Sequence, residues 1–354
     1  MSRLSLIPLL RLLLLSSAAL LGGCESLAYL AQAVQGQSQL LLNGKPIPSL
    51  IRKQQTPRSL RQQLSAVQAI LDFADQKLAL PNGGSYRDYV ALDRKAVVYN
   101  VFATPALSLQ PRRWCFPIVG CVLYRGYFAL ADARRYAKEL RRRGDDVYVS
   151  GAAAYSTLGW FADPLLSSML GGTRADLAAL LFHELSHRRL FVKGQTRFNE
   201  SLATLVEREG LRRWLLAHNQ AAVLNRYQAL WQKKTAVLKL IAGYRGKLAT
   251  LYASKLSADE QRTEKKRLFT ALNETYQSHF GRQPTGLRWW FARPLNNAAL
   301  LPVSSYNDLL PEFAHLLAMQ NGDFRAFFRI LDGIAMTRDP PSTLRQWIKH
   351  PAHD

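Results

Sequence analysis

The stretch LFHELSHRRLFVKGQTRFNE (residues 181–200) holds two histidines four residues apart, with a glutamate directly after the first. Residues at this spacing project from one face of an α-helix, so His183 and His187 can reach a single ion. Glu184 lies beside that face, where its carboxylate can accept a proton from a metal-activated water. Apolar neighbours predict a largely buried helix, in which these polar side chains are costly without a partner. The stretch therefore predicts a metal site with a general base.

The boundaries of this helix are also visible in the sequence. Thr173 and Asp176 have the spacing of a capping box and predict the helix start, while the Lys-Gly pair at residues 193–194 predicts its end. A catalytic zinc needs a third protein ligand. The next predicted helix begins with Asn-Glu, and a compact turn would return Glu200 to the two histidines. The second half of the stretch thus supplies a candidate third ligand.

HELSH followed by FNESLATLVE resembles the gluzincin metallopeptidases, such as the aminopeptidase N and thermolysin families, although the spacing here is shorter. Together with the blocks WCFPIVGCVLYRGYF, AYSTLGWFADP and LNNAALLPVSSY, these motifs look like a bacterial family of predicted aminopeptidases that are lipoproteins. The resemblance implies a zincin-like fold and one Zn²⁺ per chain. It implies that His183, His187 and Glu200 bind the metal and that Glu184 is the general base.

Two more roles have candidates. Glu207, one heptad beyond Glu200, is either a partner for a ligating histidine or a surface charge. Peptide hydrolysis also needs a donor for the oxyanion, which the resemblance places far downstream of the zinc motif. Tyr306 is the first choice and is assigned a catalytic role; Tyr155 and His315 follow, and each could instead be an ordinary half-buried ring.

The resemblance also implies a strand beside the active-site helix that binds substrate by edge pairing, and residues 151–160 are its candidate. An ordinary core strand is the alternative. Aminopeptidase N-like enzymes hold the free amino group with a glutamate in this strand, and AYSTLG contains none. The amino group would then be bound by Glu207, Glu209 or Glu312, or the exopeptidase specificity would be absent.

The first residues predict export. Arg3 and Arg11 precede an apolar run that covers residues 12–23. This run is too short for a comfortable membrane span, which favours a cleaved signal peptide at residues 1–23. Leu-Gly-Gly-Cys resembles a bacterial lipobox, so Cys24 is expected to be acylated and to anchor the mature chain. The glutamate that follows favours the outer membrane, facing the periplasm. A plain secretory signal with an incidental cysteine is the alternative.

The chain is strongly basic, with a formal net charge of +22. An exported chain rarely meets nucleic acid, so that partner is not expected; anionic lipid headgroups are the more natural one. Residues 211–279 read as a long helical hairpin, a projecting arm with 13 Lys or Arg against four acids. A solvated helix face is the simpler explanation of this charge, and contact with a membrane or a partner is the alternative.

Cys115 and Cys121 are the two cysteines left after Cys24. A disulfide loop is favoured in an oxidising compartment, and metal binding by the pair is the alternative. Strand-like segments occur around residues 97–102 and 146–161, among many helical ones. We expect an α+β fold that is mainly α-helical, with a small sheet beside the active-site helix, built as one domain over residues 24–354.

The sequence thus predicts zinc-dependent peptide hydrolysis in the bacterial cell envelope, most simply by an aminopeptidase. Two alternatives remain open at this point. One is an envelope endopeptidase with the same chemistry. The other is a non-catalytic lipoprotein whose metal is structural or whose basic arm binds a partner or a lipid surface.

Overall fold

The computed structural model describes residues 28–116, 120–154, 157, 161–303 and 309–349. The predicted signal segment, the lipidation site Cys24 and the candidate oxyanion donors Tyr155 and Tyr306 lie outside these residues. Within them, no helix combines the length and the apolar composition needed to cross a bilayer.

The described chain is mainly α-helical, as the sequence predicts. A first helix, α1, covers residues 28–42. The others are α2 (Ile47–Arg52), α3 (Arg58–Leu78), α4 (Leu130–Arg142), α5 (Arg174–Arg189), α6 (Thr196–Ala217), α7 (Ala221–Tyr252), α8 (Ala258–Phe280), α9 (Arg288–Phe291), α10 (Leu310–Met319), α11 (Phe324–Ala335) and α12 (Pro340–Lys349). Two short 3₁₀ helices cover Ser167–Leu170 and Asn297–Val303.

The strands form small sheets. They are β1 (Lys45–Pro46), β2 (Asp88–Val90), β3 (Val98–Pro105), β4 (Trp114–Phe116), β5 (Gly120–Val122), β6 (Arg125–Tyr127), β7 (Asp145–Ala152) and β8 (Leu165–Leu166). One sheet has the order β1-β2-β8, a second the order β6-β3-β7, and β4 pairs with β5. β8 leads through a 3₁₀ helix into α5, so the first sheet adjoins the helix that carries the histidines.

The two long strands have alternating faces. β3 and β7 are antiparallel, with Phe102 opposite Tyr148 and Ala103 opposite Val147. Phe102 and Tyr148 pack with the α7–α8 hairpin and the segment after it. Their neighbours pack instead against α4. Because side chains alternate along a strand, one face of this sheet packs against α4 and the other face packs against the α7–α8 hairpin.

A larger core surrounds α5 and α6 and includes α3 and the helices α10 to α12. The α5–α6 contact is close because α6 carries Gly210 where the helices meet. A Cβ atom at this position would lie 2.8 Å from both Phe182 and Leu78. The missing side chain therefore sets how near α6 approaches the histidine helix.

The start of α5 is as predicted. Thr173 Oγ1 accepts from the Asp176 N–H, and Asp176 accepts from the Thr173 N–H, which completes the capping box. The end of the helix differs, because α5 stops at Arg189 and Leu190 is already extended. Gly194 is instead used in the following turn, with φ 78°, which glycine adopts without strain.

The helical arm begins later than predicted. Residues 211–217 complete α6, and the chain reverses at Asn219 with φ 58°, a left-handed conformation that asparagine tolerates. The hairpin proper is α7 and α8, and the predicted capping box of Ser257 and Glu260 starts α8. Its inner face is buried against the β3–β7 sheet, so the arm is packed along part of its length.

Cys115 and Cys121 are opposite each other in the β4–β5 hairpin and are joined by a disulfide. This pairing occupies both thiols. It leaves them unavailable as metal ligands.

Candidate metal centre

Two histidines from α5 and a glutamate from α6 meet at one point. His183 Nε2 lies 3.5 Å from one carboxylate oxygen of Glu200, and His187 Nε2 lies 3.6 Å from the other. The two imidazole rings are 4.9 Å apart and nearly perpendicular. One nitrogen or oxygen atom from each of the three residues lies within 4.8 Å of the others. The structure therefore assembles the ligand set that the sequence predicts.

These separations suit a metal better than they suit direct hydrogen bonds. A nitrogen and an oxygen 3.5 or 3.6 Å apart are beyond the usual hydrogen-bond range. Ligands about 2.1 Å from a tetrahedral zinc are themselves about 3.4 Å apart. The donor set, two imidazoles and a carboxylate, is that of catalytic zinc sites.

Glu207 contacts the first histidine from the side opposite to Glu200. His183 Nδ1–H donates to Glu207 Oε2 at 3.1 Å, because a carboxylate can only accept. This hydrogen bond fixes the ring and leaves Nε2, the nitrogen facing Glu200, free to bind an ion. The sequence left Glu207 as either a partner of a ligating histidine or a surface charge. The structure shows it in contact with His183, a candidate metal ligand.

Glu184 lies among these charged groups. Burial raises the pKa of Glu184 to about 7, with the positive charge of His183 opposing this shift and the charge of Glu200 adding to it. Burial lowers the pKa of His183, but the nearby carboxylates of Glu200 and Glu207 outweigh it and raise that pKa to about 10. Burial also lowers the pKa of His187 to about 4. Without a metal, His183 thus carries the positive charge that offsets the carboxylates.

Asn199 has a structural part in this arrangement. Its side chain is buried; Oδ1 accepts from the Val192 N–H at 2.9 Å and Nδ2 donates to Val192 C=O at 2.8 Å. These two bonds close the short turn between α5 and α6. Since Glu200 is the next residue, they fix the point at which the third ligand enters the site.

The sequence reasoning missed a buried polar network next to Glu184. Arg188, one residue after His187, donates to Ser85 Oγ at 3.1 Å and to the Gly83 and Phe161 carbonyl oxygens. Tyr86 N–H donates to Asp163 C=O at 2.7 Å, and Tyr86 has a left-handed backbone, φ 62°. Burial first, and then the charge of Glu184, raise the pKa of Tyr86. Arg188, the arginine that follows HELSH, is the feature of the sequence from which this network could have been predicted.

The candidates for recognition of a free amino group have other partners. Glu209 accepts from Arg212 at 2.7 Å and from Arg213 at 2.8 Å. Glu312 accepts from Arg345 at 3.0 Å. Glu207 is the one of the three that belongs to the metal site.

The structure does not bring His315 into this site. It is exposed on α10, and it is absent from the ligand group that the described residues form. The chain after Val303 is next described at Leu309, whose N–H donates to Ser201 Oγ at 3.2 Å, directly beside Glu200.

The candidate substrate strand is described only in part. β7 ends at Ala152 and pairs with β3 on one side, so it is an edge strand of the described sheet. Its outer edge is partly occupied, because the Val147 carbonyl accepts from Asn296 and the Val149 carbonyl accepts from Arg293. Among the described residues of the candidate strand, those of β7 after Val149 lie beyond these two contacts.

The fold and the site together define a protein with a HExxH helix, a carboxylate on the following helix as the third candidate ligand, and room for one metal ion among them. A family model described as "Putative aminopeptidase" matches residues 28–344, and the chain belongs to that family. A search of curated proteins and a search of solved structures each found no match.

Proposed function

We propose that this protein is a zinc-dependent aminopeptidase of the gluzincin type, held at the periplasmic face of the outer membrane through acylated Cys24. Membership of the aminopeptidase family supports peptide hydrolysis. The convergence of His183, His187 and Glu200 is the observation that carries the metal dependence. The lipoprotein part of the proposal rests on the N-terminal sequence alone.

Each side chain has a defined part in the proposed reaction. His183, His187 and Glu200 hold the ion, and Glu207 keeps the His183 ring in place. A bound Zn²⁺ supplies Lewis acidity toward the peptide carbonyl and toward water. Glu184 accepts the proton of the attacking water and returns it to the leaving amine. Its raised pKa, about 7, is near the range at which a carboxylate can both take and give a proton.

The oxyanion requires a further donor, for which we propose Tyr306. Leu309, three residues after it, is held on α6, since its N–H donates to Ser201 Oγ in the residue after Glu200. Exposed His315 has no comparable support.

Glu184→Gln tests the mechanism. The variant should bind one zinc per chain like the wild type, because residue 184 is outside the ligand set, and should lose about 10²- to 10⁴-fold in peptide hydrolysis. Metal content by mass spectrometry and turnover of peptides measure the two effects. Hydrolysis at the wild-type rate by the zinc-loaded variant would exclude Glu184 as the base. A wild type that binds zinc without hydrolysing any peptide would favour a non-catalytic lipoprotein.

An endopeptidase is the second candidate, because Glu209 and Glu312 are already paired with arginines. Peptides with free and with acetylated N-termini separate the two activities. An aminopeptidase cleaves only the free peptides, while an endopeptidase cleaves both.

A further inference from the structure

A groove of about 610 Å³ lies between α6 and α7. Its lining combines two cationic side chains, one indole and several amide or hydroxyl groups, and it contains no acidic residue. The residues that matter to its chemistry are Arg208, Gln228, Trp231, Gln232, Thr235 and Lys239.

The groove and the candidate metal centre share helix α6. Arg208 directly follows Glu207, whose carboxylate binds His183. On the other wall, α7 is fastened to α5 where Tyr227 Oη donates to Asp176. α5 rises about 10 Å from there to His183, and α7 rises about 6 Å from Tyr227 to Trp231. Trp231 and His183 are therefore each within about 10 Å, measured along its own helix, of the contact between Tyr227 and Asp176.

The positive charge at this end feels the nearby carboxylate of Glu207 but has no direct ion pair among the described residues. Arg208 is half-buried, and its guanidinium carbon lies 5.6 Å from the centre of the Trp231 ring. No ion pair or hydrogen bond joins Arg208 or Lys239 to another residue of the described chain. A half-buried guanidinium without a directly paired anion is unfavourable, and its planar donors match a carboxylate in two-point contact. The indole beside it offers an apolar wall for a peptide chain.

We propose that this groove binds a carboxylate of the peptide substrate, with Arg208 as the principal contact and Lys239 as a further positive charge. The inference rests on the proposed peptidase function and gives it a substrate class, short or acidic peptides. α7 rises about 12 Å between Trp231 and Lys239, which equals three to four residues of extended peptide. The carboxylate is either the peptide's C-terminus or a glutamate side chain near the cleaved bond.

Calorimetric titration of zinc-loaded Glu184→Gln protein tests the proposal without turnover. Four peptides are compared: tetra-alanine and Ala-Ala-Glu-Ala, each as the free acid and as the C-terminal amide. Charge-assisted hydrogen bonds predict at least about tenfold tighter binding of the peptides whose carboxylate is used. Tight binding of tetra-alanine acid identifies the C-terminus, and tight binding of Ala-Ala-Glu-Ala amide identifies the side chain.

Arg208→Gln, added to this background, should remove the carboxylate preference, and Lys239→Gln should reduce it about threefold as a more exposed charge. Arg226→Gln is the matched control, an exposed arginine of α7 that does not line the groove. Lys239→Gln keeps the test decisive if Arg208→Gln does not fold.

Equal affinity for all four peptides, including tetra-alanine amide, which has no carboxylate, would contradict the groove assignment, as would the same result for Arg208→Gln and Arg226→Gln. Binding of phosphatidylglycerol vesicles that depends on Arg208, without any peptide preference, would also overturn it in favour of a lipid contact. The proposed function fails separately: wild-type protein that does not hydrolyse peptides but retains an Arg208-dependent preference would contradict only the peptidase assignment.

Discussion

At the scale of single residues, the site depends on carboxylates that hold imidazoles in place. Glu207 and Glu209 are two residues apart on α6 and have different partners. The first accepts from His183, while the second is held by Arg212 and Arg213. Substituting each glutamate in turn therefore distinguishes two effects on zinc binding: the hydrogen bond from His183 to Glu207, and the negative charge that either residue adds to α6.

Glu207→Gln should weaken zinc binding about 10- to 100-fold, because the amide interacts less strongly with the ring of His183 and no longer raises its basicity. Competition with a chelator of known affinity measures the change. Glu209→Gln should leave zinc affinity unchanged. If the two variants weakened binding equally, a general loss of negative charge would explain the result, and the hydrogen bond to His183 would not.

At the scale of elements, the histidine helix is fixed at its start by more than its own capping box. Tyr227 of α7 donates to Asp176 at 2.5 Å, so that one side chain caps α5 and joins it to the arm. Burial raises the pKa of Asp176, but the hydrogen bonds from Tyr227 and Thr173 outweigh it and hold that pKa below its ordinary value of 3.8.

Asp176→Asn should lower the free energy of unfolding by about 1 kcal/mol at pH 7, which is the usual contribution of a helix cap. The folded pKa of Asp176 is depressed, so the charged form stabilises the protein above the unfolded pKa. That contribution is lost as the pH falls through the folded pKa. Urea unfolding of both proteins at pH 7 and in acid should therefore show a difference that shrinks below about pH 4.

Asp75→Asn serves as the control for this prediction. Asp75 is an exposed acid within α3 and forms no hydrogen bond or ion pair with the described chain. Its substitution should change stability by less than about 0.5 kcal/mol. An equal effect of the two substitutions would argue against a special role for the cap.

At the scale of the whole molecule, the candidate metal site joins two helices of the largest core among the described residues. His183 and His187 lie on α5 and Glu200 lies on α6, and both helices pack within the same cluster of buried residues. An ion that binds these three side chains together favours the folded chain over the unfolded one, in which the ligands are apart.

Zinc at about 100 times its dissociation constant should therefore raise the free energy of unfolding by about 2.7 kcal/mol, and a chelator should reverse the effect. Thermal unfolding with and without zinc measures the difference. His187→Ala should be insensitive to zinc, while His315→Ala, which changes an exposed histidine of α10, should respond like the wild type. A zinc effect retained in His187→Ala would locate the ion elsewhere.

What the sequence determines by itself is local. The capping box, the four-residue spacing of His183 and His187 and the apolar neighbours are short-range features, and they predict α5 and its ligands because helix geometry is the same in every protein. The compact turn and the helix after it, together with the family resemblance, predict Glu200 as the third ligand, but its approach to the histidines depends on the turn that Asn199 closes.

Tertiary structure decides the rest, since it depends on how helices pack. Gly210 sets the approach of α6 to α5, and that approach brings Glu207 to His183. The network of Asp163 and Arg188 and the groove at Arg208 bring together residues that are distant in sequence. No repeating pattern of residue types along the chain could therefore predict them. Local spacing determines which side chains share a helix face, whereas long-range packing determines which faces meet and what a substrate would contact.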